Sequence, residues 1–256
     1  MTEKTSKEVI VNLNFPVDDD VKLKLHHHRF TNQMIHRPAA EVKLRKIVTH
    51  LIKKQKINGN IIDLGAWIGD NALAWSKNNQ KHLVYAIDPS PDNCSYISEL
   101  ARINDISNIV VIQEAISSKK EIISTSDSLD HSTFRKNSSG RNVVQSTSLD
   151  ELYNCGKIDN IKFMHLDVEG MELDVILGSS NIIKLFSPII IFEQHTNSDP
   201  YKETCELLSK SGYSNYIIPE ICGAKRDCRN FIAIPDNLNE ILRDCLEVVP
   251  DLSTEF

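Results

Sequence analysis

The sequence predicts an α/β fold in which a mostly parallel sheet carries helices on both faces. Three observations support this expectation. From residue 60 to residue 211, short apolar runs typical of buried strands alternate with amphipathic segments typical of helices. The first apolar run ends in a turn that contains glycine, and two further strand-like runs follow the last long helix. We therefore expect a seven-stranded sheet that closes with a C-terminal antiparallel hairpin.

The elements of this sheet can be assigned in chain order. Strands are predicted at residues 60–64, 82–88, 109–113, 161–167, 187–193, 213–218 and 230–234. Helices are predicted at residues 70–77, 91–103, 149–153, 171–177, 201–211 and 236–245. Pro91 favours a helix start, because the N–H that it lacks would have no partner in a first turn. Residues 117–142 are rich in Ser, Lys, Asn and Asp and are predicted to form loops before a short strand at 143–144.

The first 55 residues are predicted to form an extension or cap on the main domain, which spans residues 56–256. Apolar and polar residues alternate at 9–15 and again at 21–25, which predicts a small hairpin. The spacing of apolar residues within 39–54 predicts an amphipathic helix. The histidine-rich segment between them is predicted to be polar surface, although it is also a candidate lining for a substrate site.

Composition narrows the class of protein. The net charge of −6 over 256 residues does not favour a broad surface for nucleic acid. No apolar run approaches the roughly 20 residues that cross a bilayer, and the polar start lacks a signal-peptide core, so we expect a cytoplasmic protein. The six cysteines include no C-x-x-C pair, which predicts structural thiols rather than a zinc site. The N-terminal extension is a candidate element for homo-oligomerisation.

The turn after the first predicted strand is the first candidate ligand site, because open α/β sheets bind ligands at the carboxyl ends of their strands. Gly65 and Gly69 permit a tight turn and a close approach of the backbone to a ligand. Ala66 and Trp67 occupy the inner positions, so the turn is not the G-x-G-x-x-G of a dinucleotide loop. Asp63 would repel a pyrophosphate but can receive an ammonium group; alternatively, it only satisfies the backbone of the turn.

The next two strand ends carry groups that suit a nucleoside. Asp88, followed by Pro89, ends the second predicted strand, where a carboxylate can accept hydrogen bonds from both hydroxyls of a ribose. Glu114 and Ala115 follow the third strand, a position expected near an adenine ring. Glu114 alone has the alternative interpretation of a surface acid. Joined to the glycine turn, these residues predict one connected nucleoside site.

The fourth and fifth strand ends carry carboxylates and a histidine. Asp167 and Glu169 follow the fourth strand, and Glu193 and His195 end the fifth. Such groups can act as a general base, orient a hydroxyl or bind a divalent cation. Each alone has the alternative of capping a strand or lying in solvent. Their expected convergence at adjacent strand ends favours a functional site.

Taken together, these segments resemble the FkbM family of class I methyltransferases, whose fold is Rossmann-like. The resemblance covers residues 61–235. Its most specific pieces are DLGAWIG at 63–69, IDP at 87–89, TSLD at 147–150, LDVEGME at 166–172, IIFE at 190–193 and NFIAIP at 230–235. The D-V-E-G-x-E pattern is the most telling, because generic methyltransferases lack it.

This resemblance implies S-adenosylmethionine as methyl donor and O-methylation, often of sugars in glycans, nucleotide sugars or natural products. By position it implies a methionine end held by Asp63, Gly65 and Ala66, a ribose held by Asp88, an adenine bordered by Glu114 and Ala115, and Asp167 beside the methyl group and acceptor. Trp67, Gly69 and Pro89 complete the implied cofactor-binding set. Two positions depart from the family, since Trp67 replaces a small or polar residue and Asp88 stands where Glu is common.

The proton acceptor in the implied reaction is open at this point. His195 is the first candidate, because an ordinary imidazole titrates near neutrality, and Asp167 is the second. A third possibility is Mg²⁺ or a similar cation bound by Asp167, Glu193 and His195, which would lower the pKa of the acceptor hydroxyl. The alternatives to a methyltransferase are a nicotinamide-dependent oxidoreductase and a non-catalytic binding protein on the same fold.

Overall fold

The computed structural model describes residues 9–12, 21–25, 28–36, 40–125, 135–136, 142–196, 199–222 and 226–254. The strands of the main sheet are β3 (Asn60–Leu64), β4 (Val84–Ile87), β5 (Ile109–Ile112), β10 (Ile161–Leu166), β11 (Ile189–His195), β12 (Tyr213–Ile217) and β13 (Cys228–Pro235). The remaining strands are β1 (Val9–Asn12), β2 (Lys22–Leu25), β6 (Ala115–Ile116), β7 (Ile122–Thr125), β8 (Arg135–Lys136) and β9 (Asn142–Thr147). The helices are α1 (Thr31–His36), α2 (Val42–Lys53), α3 (Asp70–Asn78), α4 (Pro91–Ile103), α5 (Leu149–Asn154), α6 (Glu172–Leu177), α7 (Ser180–Phe186), α8 (Asp199–Lys210) and α9 (Asn239–Val248).

The main sheet has seven strands in the order β12-β13-β11-β10-β3-β4-β5. β11, β10, β3, β4 and β5 are parallel, whereas β13 runs antiparallel to both of its neighbours. The predicted α/β fold with its closing antiparallel hairpin is therefore confirmed. Chain order reverses at β3, which lies between β10 and β4, so the carboxyl ends of these three strands form the topological switch point where ligands bind in such sheets.

Buried side chains on both faces explain why the central strands are continuous apolar runs. Every residue of β3 is buried, and alternate residues enter different cores. Ile61 packs into a cluster with α2 and α3, whereas Ile62 packs into a cluster with α5, α6 and α7. This is the pattern of a sheet covered by helices on both sides.

The N-terminal segment packs against the same core as the main sheet. β1 and β2 pair antiparallel, as predicted, while residues 13–20 between them lie outside the described residues. Leu23 of β2, Met34 of α1 and Leu44 of α2 are all fully buried in the cluster that contains Ile61. The helix α1 was not predicted, and His28 before it stacks on Tyr96 with ring centroids 4.5 Å apart. His26 and His27 lie outside the described residues, and the division of the chain at residue 55 stays a prediction.

One local prediction was wrong, and one further helix was not predicted. The polar region 117–142 contains β7 and β8, which join β6 and β9 in a second sheet. Pairing with β9 and burial of Ile123 against Ala115 and Met171 outweigh the polar composition there. The helix α7 was missed because the carboxylate of Asp150 caps it from 30 residues away, accepting from the N–H of Asn181 at 2.9 Å. Within the described residues, no helix is both long enough and apolar enough to cross a membrane.

Candidate functional site

The glycine turn after β3 lies against the chain that leaves β10. Gly65 has a φ of +77°, and a Cβ on it would lie 1.8 Å from the carbonyl oxygen of Asp167. The N–H groups of Gly65 and Ala66 donate to the carbonyl of Ile87 at 2.9 and 3.2 Å, which ties the turn to the end of β4. Gly69, also at a φ of +77°, precedes the first turn of α3. The turn thus requires glycine for its backbone conformation and for the approach of Asp167.

Trp67 and Asp88 close the turn from the other side. Trp67 has a φ of +46°, and its N–H donates to Oδ2 of Asp88 at 2.9 Å. The other oxygen of Asp88 accepts from the N–H of Ser90 at 2.8 Å and from the side chain of Asn93 at 3.0 Å. Burial raises the pKa of Asp88 to about 6. A carboxylate offers about four acceptor positions, so Asp88 organises the turn and keeps part of its capacity for a ligand.

Sequence reasoning missed a buried Asp–His pair at this strand end. Nδ1 of His165 lies 2.7 Å from Oδ1 of Asp63, and the two residues face each other in the register of β10 and β3. Oδ2 of Asp63 is enclosed and has no hydrogen bond of normal geometry within the described part of the chain. Burial raises the pKa of Asp63 although His165 acts in the other direction. For His165, burial lowers the pKa, but the hydrogen bond to Asp63 and the charges of the surrounding acids together leave it above its ordinary value. The signal that could have predicted this pair is that the two residues occupy equivalent positions on neighbouring strands.

Arg45 of α2 fixes the start of α3. Its guanidinium lies 2.5 Å from Oδ2 of Asp70, and its Nε donates to the side chain of Asn71 at 3.0 Å. Both members of the ion pair are almost fully buried. The N-terminal segment, which sequence reasoning treated as a cap, therefore supplies a buried cation that pairs with Asp70.

A second group of acids lies at the ends of β10 and β11. Burial first, and then the charges of Glu193 and Glu41, raise the pKa of Asp167 well above its ordinary value. Burial and the neighbouring thiol of Cys228 raise the pKa of Glu193 to about 9. Glu41, at a φ of +50°, precedes α2 and accepts from the side chain of Asn230 at 3.0 Å. Glu41 was not predicted, because it is far from the strand ends in the sequence.

The D-V-E-G-x-E segment divides into residues that face the site and residues that shape it. Glu172 is buried, and its Oε1 accepts from the N–H groups of Val168 and Gly170 at 3.2 Å each. Burial raises the pKa of Glu172 to about 7. Glu169, at a φ of +52°, is exposed. Glu172 therefore folds the loop that positions Asp167, and this explains the last acid of the pattern.

His195 does not join the expected metal-binding trio. Its Nδ1 lies 3.3 Å from Asp227, and its side chain is 38% exposed. Among the described residues, groups of three potential ligands within 4.8 Å of one another occur twice, and neither contains both Asp167 and His195. One of them combines Glu193 with Cys222 and Cys228. The strand end thus brings Glu193 to two cysteines rather than to the histidine.

The residues expected near adenine lie beyond β5. Glu114 is half-buried, 3.3 Å from the ammonium group of Lys157, and it lines a cavity of about 260 Å³ together with Thr147 and Leu152. Ala115 is buried beside Met171, and Pro89 is half-buried after Asp88. Glu114 therefore forms an ion pair, as a surface acid would. It nevertheless follows β5, the strand end at which the adenine was expected.

Comparison with known proteins connects this geometry to a family. The family described as the methyltransferase FkbM domain matches residues 63–215 of this chain. The hexuronic acid methyltransferase AglP of Haloferax volcanii is 27% identical over 173 residues, which cover 67% of this chain and 70% of that protein. The family match thus begins at Asp63, the first residue of the glycine turn, and ends within β12.

A solved structure supports the fold independently. The crystal structure of methyltransferase FkbM from Methylobacillus flagellatus KT aligns with a TM-score of 0.51 at 18% identity. The alignment covers 68% of this chain and 43% of that longer chain, so this protein spans less than half of it. The Rossmann-like class I methyltransferase fold expected from the sequence is confirmed. With the family match covering more than half of the residues, this chain belongs to the FkbM family of methyltransferases.

Proposed function

We propose that this methyltransferase uses S-adenosylmethionine and methylates a hydroxyl of a sugar. The observation that carries the proposal is the cradle between β3 and β4, in which Trp67 is tied to Asp88 and Gly65 is pressed against Asp167. The cradle combines two carboxylates, Asp63 and Asp88, with a tight backbone turn. A dinucleotide would bring a pyrophosphate to the same turn, where these carboxylates would repel it.

The donor set fits S-adenosylmethionine part by part. The enclosed Oδ2 of Asp63 suits an ammonium group, and the N–H groups at the start of α3 suit a carboxylate. The remaining acceptor capacity of Asp88 suits ribose hydroxyls, and Glu114 and Ala115 would border the adenine. The bound cofactor supplies an electrophilic methyl group on its sulfonium.

Asp167 is the proton acceptor that the geometry favours. Its backbone contacts the glycine turn, and burial raises its pKa, which makes the ionised carboxylate a stronger base. His195 is the second candidate, because it is half-exposed and held by Asp227 at the end of β11. In either case the chain aligns an acceptor hydroxyl and removes its proton during the in-line displacement.

The sugar acceptor is inferred from the relative. AglP is named for a hexuronic acid, and its similarity extends over 67% of this chain. A hydroxyl acceptor needs a proton acceptor beside the methyl group, which Asp167 and His195 offer. A hydroxyl of a sugar acid or a related sugar is the substrate class that we propose.

The cofactor is tested by calorimetry with S-adenosylhomocysteine and, separately, with NAD. We expect binding of the former at micromolar concentrations and no measurable heat from the latter. Absence of heat with S-adenosylhomocysteine at protein concentrations far above micromolar would refute the proposal. Binding of NAD would instead support the oxidoreductase alternative.

The acceptor is tested with radiolabelled S-adenosylmethionine and a panel of hexuronic acids, neutral hexoses and nucleotide sugars. With the best acceptor, Asp167→Asn is expected to lower kcat about 100-fold with unchanged affinity for S-adenosylhomocysteine. The exposed neighbour provides a matched control, since Glu169→Gln should leave kcat unchanged. A larger loss in His195→Ala than in Asp167→Asn would assign the proton transfer to His195.

A further inference from the structure

We propose that Cys222, Cys228 and Glu193 form a binding site for a zinc ion beside Asp167, where the methyl acceptor is expected to bind. The three residues come from the end of β11, the start of β13 and the segment before it. Their spacing does not predict the site, because C-x₅-C is not a zinc motif and Glu193 is 29 residues away from Cys222 in the sequence. The proposal does not depend on the identity of the methyl donor.

The three donor atoms are already close together. Sγ of Cys222 lies 3.0 Å from Sγ of Cys228, which in turn lies 2.8 Å from Oε1 of Glu193. All three atoms lie within 4.8 Å of one another. Both cysteines are 1% exposed, and the N–H of Cys222 donates to the carbonyl of Cys228 at 3.4 Å, which holds their backbones face to face. The two cysteines are therefore buried, and Glu193 and Cys228 are held by the ladder of β11 and β13.

Two thiols and one carboxylate are a donor set that suits Zn²⁺. Sulfur selects zinc over Mg²⁺ or Ca²⁺, and three protein ligands with one open position are typical of catalytic zinc sites. Two sulfurs bound tetrahedrally to zinc, each at about 2.3 Å, are about 3.8 Å apart. The thiols of Cys222 and Cys228 would need to separate by roughly 0.8 Å, a change that side-chain rotation alone can provide.

The surroundings supply negative charge and an additional oxygen. The charges of Asp167 and Glu41 both act on Cys228, and that of Glu41 also acts on Glu193. Asn230 pairs with Glu193 across the β11–β13 ladder and is fully buried. Its Oδ1 has no hydrogen-bond partner among the residues that the structure describes. A cation would relieve the repulsion of these groups and give the buried oxygen a partner in the second shell or through water.

A disulfide between Cys222 and Cys228 is the competing interpretation of the short sulfur–sulfur distance. A disulfide would remove the thiol that now donates to Glu193 and leave a half-buried carboxylate against apolar sulfur. Zinc instead uses all three groups as ligands. The third donor and the surrounding acids therefore favour the metal.

The position of the cluster suggests what the open coordination site would hold. Glu193 follows the buried part of β11, next to β10 and Asp167. An oxygen of the acceptor or a water molecule would complete the tetrahedron. Zinc in that place would lower the pKa of an acceptor hydroxyl, which helps Asp167 to remove its proton.

Metal binding is tested without donor or acceptor, so its failure is separate from failure of the proposed function. The full-length protein is purified with a thiol reductant, stripped with a chelator, equilibrated with ZnSO₄ and analysed by elemental mass spectrometry. We expect about one zinc per chain in the wild type and in Cys155→Ser, an exposed cysteine outside the cluster. The double variant Cys222→Ser/Cys228→Ser should bind none, and less than 0.2 zinc per wild-type chain would overturn the proposal.

Two further measurements keep the test decisive if the double variant folds poorly. Glu193→Gln is milder and should weaken zinc binding at least tenfold, with Glu169→Gln as its matched control. Co²⁺ in place of zinc should give intense sulfur-to-metal absorption in the wild type and lose it in either cysteine variant. Titration of the denatured protein, purified without reductant, should find six thiols; four would identify a disulfide and contradict the metal site.

Discussion

The carboxylates at the two halves of the switch point differ in their partners. At the ends of β3 and β4, Asp63 has His165, Asp70 has Arg45, and Asp88 has three N–H donors. At the ends of β10 and β11, burial is the first cause that raises the pKa of Asp167 and Glu193, and the charge of Glu41 raises both further. Asp63, Asp70 and Asp88 are buried, whereas Asp167 and Glu193 are half-buried, so deeper burial does not explain why like charges act on the second group.

The ends of β3 and β4 form a donor half, which is complete in the folded chain. The ends of β10 and β11 form an acceptor half, which still requires a positive charge. Hydrogen bonds and an ion pair stabilise the donor half before any ligand binds, as expected of a preorganised site. Like charges in the acceptor half are tolerated only if protons or a cation neutralise them. The donor half is therefore expected to determine the shape of the site, and the acceptor half is where a cation would act.

The largest effect is expected where the two halves touch. In Gly65→Ala, the new Cβ would overlap the carbonyl of Asp167 at 1.8 Å in a backbone of positive φ, so turn and β10 must separate. We expect a loss of about 4 kcal/mol or more in the free energy of unfolding, and no binding of S-adenosylhomocysteine. Urea unfolding and calorimetry measure the two effects.

Gly156→Ala is the matched control for that substitution. Gly156 has a φ of +70°, but a Cβ there meets nothing within 4 Å. Only the backbone strain remains, which costs about 1 kcal/mol, and ligand binding should be unchanged. Equal losses in the two variants would mean that strain, not contact with Asp167, requires glycine at position 65.

Removal of the cation from the donor half should have the next largest effect. Arg45→Met leaves Asp70 as a buried carboxylate without its guanidinium, and we expect the free energy of unfolding to fall by about 3 kcal/mol. Adding Asp70→Asn should restore part of the loss, because the uncompensated charge is gone. No recovery in the double variant would show that Arg45 acts through packing and through Asn71 instead.

The sequence predicted residues that follow strands better than residues that other elements bring to the site, for a physical reason. Gly65, Asp88 and Asp167 were predicted as site residues because each follows its own strand. The end of a strand can be predicted from a local apolar run. Arg45 and Glu41 were missed because α2 meets the site only in three dimensions. No local pattern encodes that contact.

The sulfur–carboxylate cluster was hidden for the same reason. Cys222 and Cys228 become neighbours of Glu193 only through the antiparallel pairing of β13 with β11. His165 was readable in principle, since it lies opposite Asp63 in parallel register. The second sheet and α7 were missed because long-range pairing and a distant cap, rather than composition, form them.

The pH dependence of Asp88 should show two slopes of opposite sign. Its pKa of about 6 in the folded protein exceeds the ordinary value of 3.8, so its contribution to stability is complete below pH 3.8 and is lost as pH rises through 6. Ribose hydroxyls need the ionised form, so affinity for S-adenosylhomocysteine should fall as pH drops below 6, by up to about tenfold per unit.

Asp88→Asn should remove both slopes and lower the affinity at pH 7. The exposed Asp92→Asn in the first turn of the following helix, α4, is the control and should keep both slopes. An affinity that does not change between pH 5 and pH 8 in the wild type would exclude the Asp88 carboxylate from ligand binding. It would leave Asp88 only the task of holding Trp67 in the turn.

The smallest effect, and the only one of opposite sign, is expected in the acceptor half. In Glu41→Gln the amide oxygen still accepts from Asn230, while a charge that opposes ionisation of Asp167 and Glu193 disappears. For the chelator-treated protein at pH 8, the free energy of unfolding should stay the same or rise by up to about 1 kcal/mol.

Glu220→Gln is the control, because Glu220 accepts from two N–H groups at the start of α2 at 2.8 Å each. This variant should lose about 1 kcal/mol in the free energy of unfolding. If Glu41→Gln destabilised the protein as much as Glu220→Gln does, the acids of the acceptor half would not repel one another, and the contrast between the halves would fail. Zinc added to both variants sharpens the result, since only the loss of Glu41 should weaken the stabilisation that the metal provides.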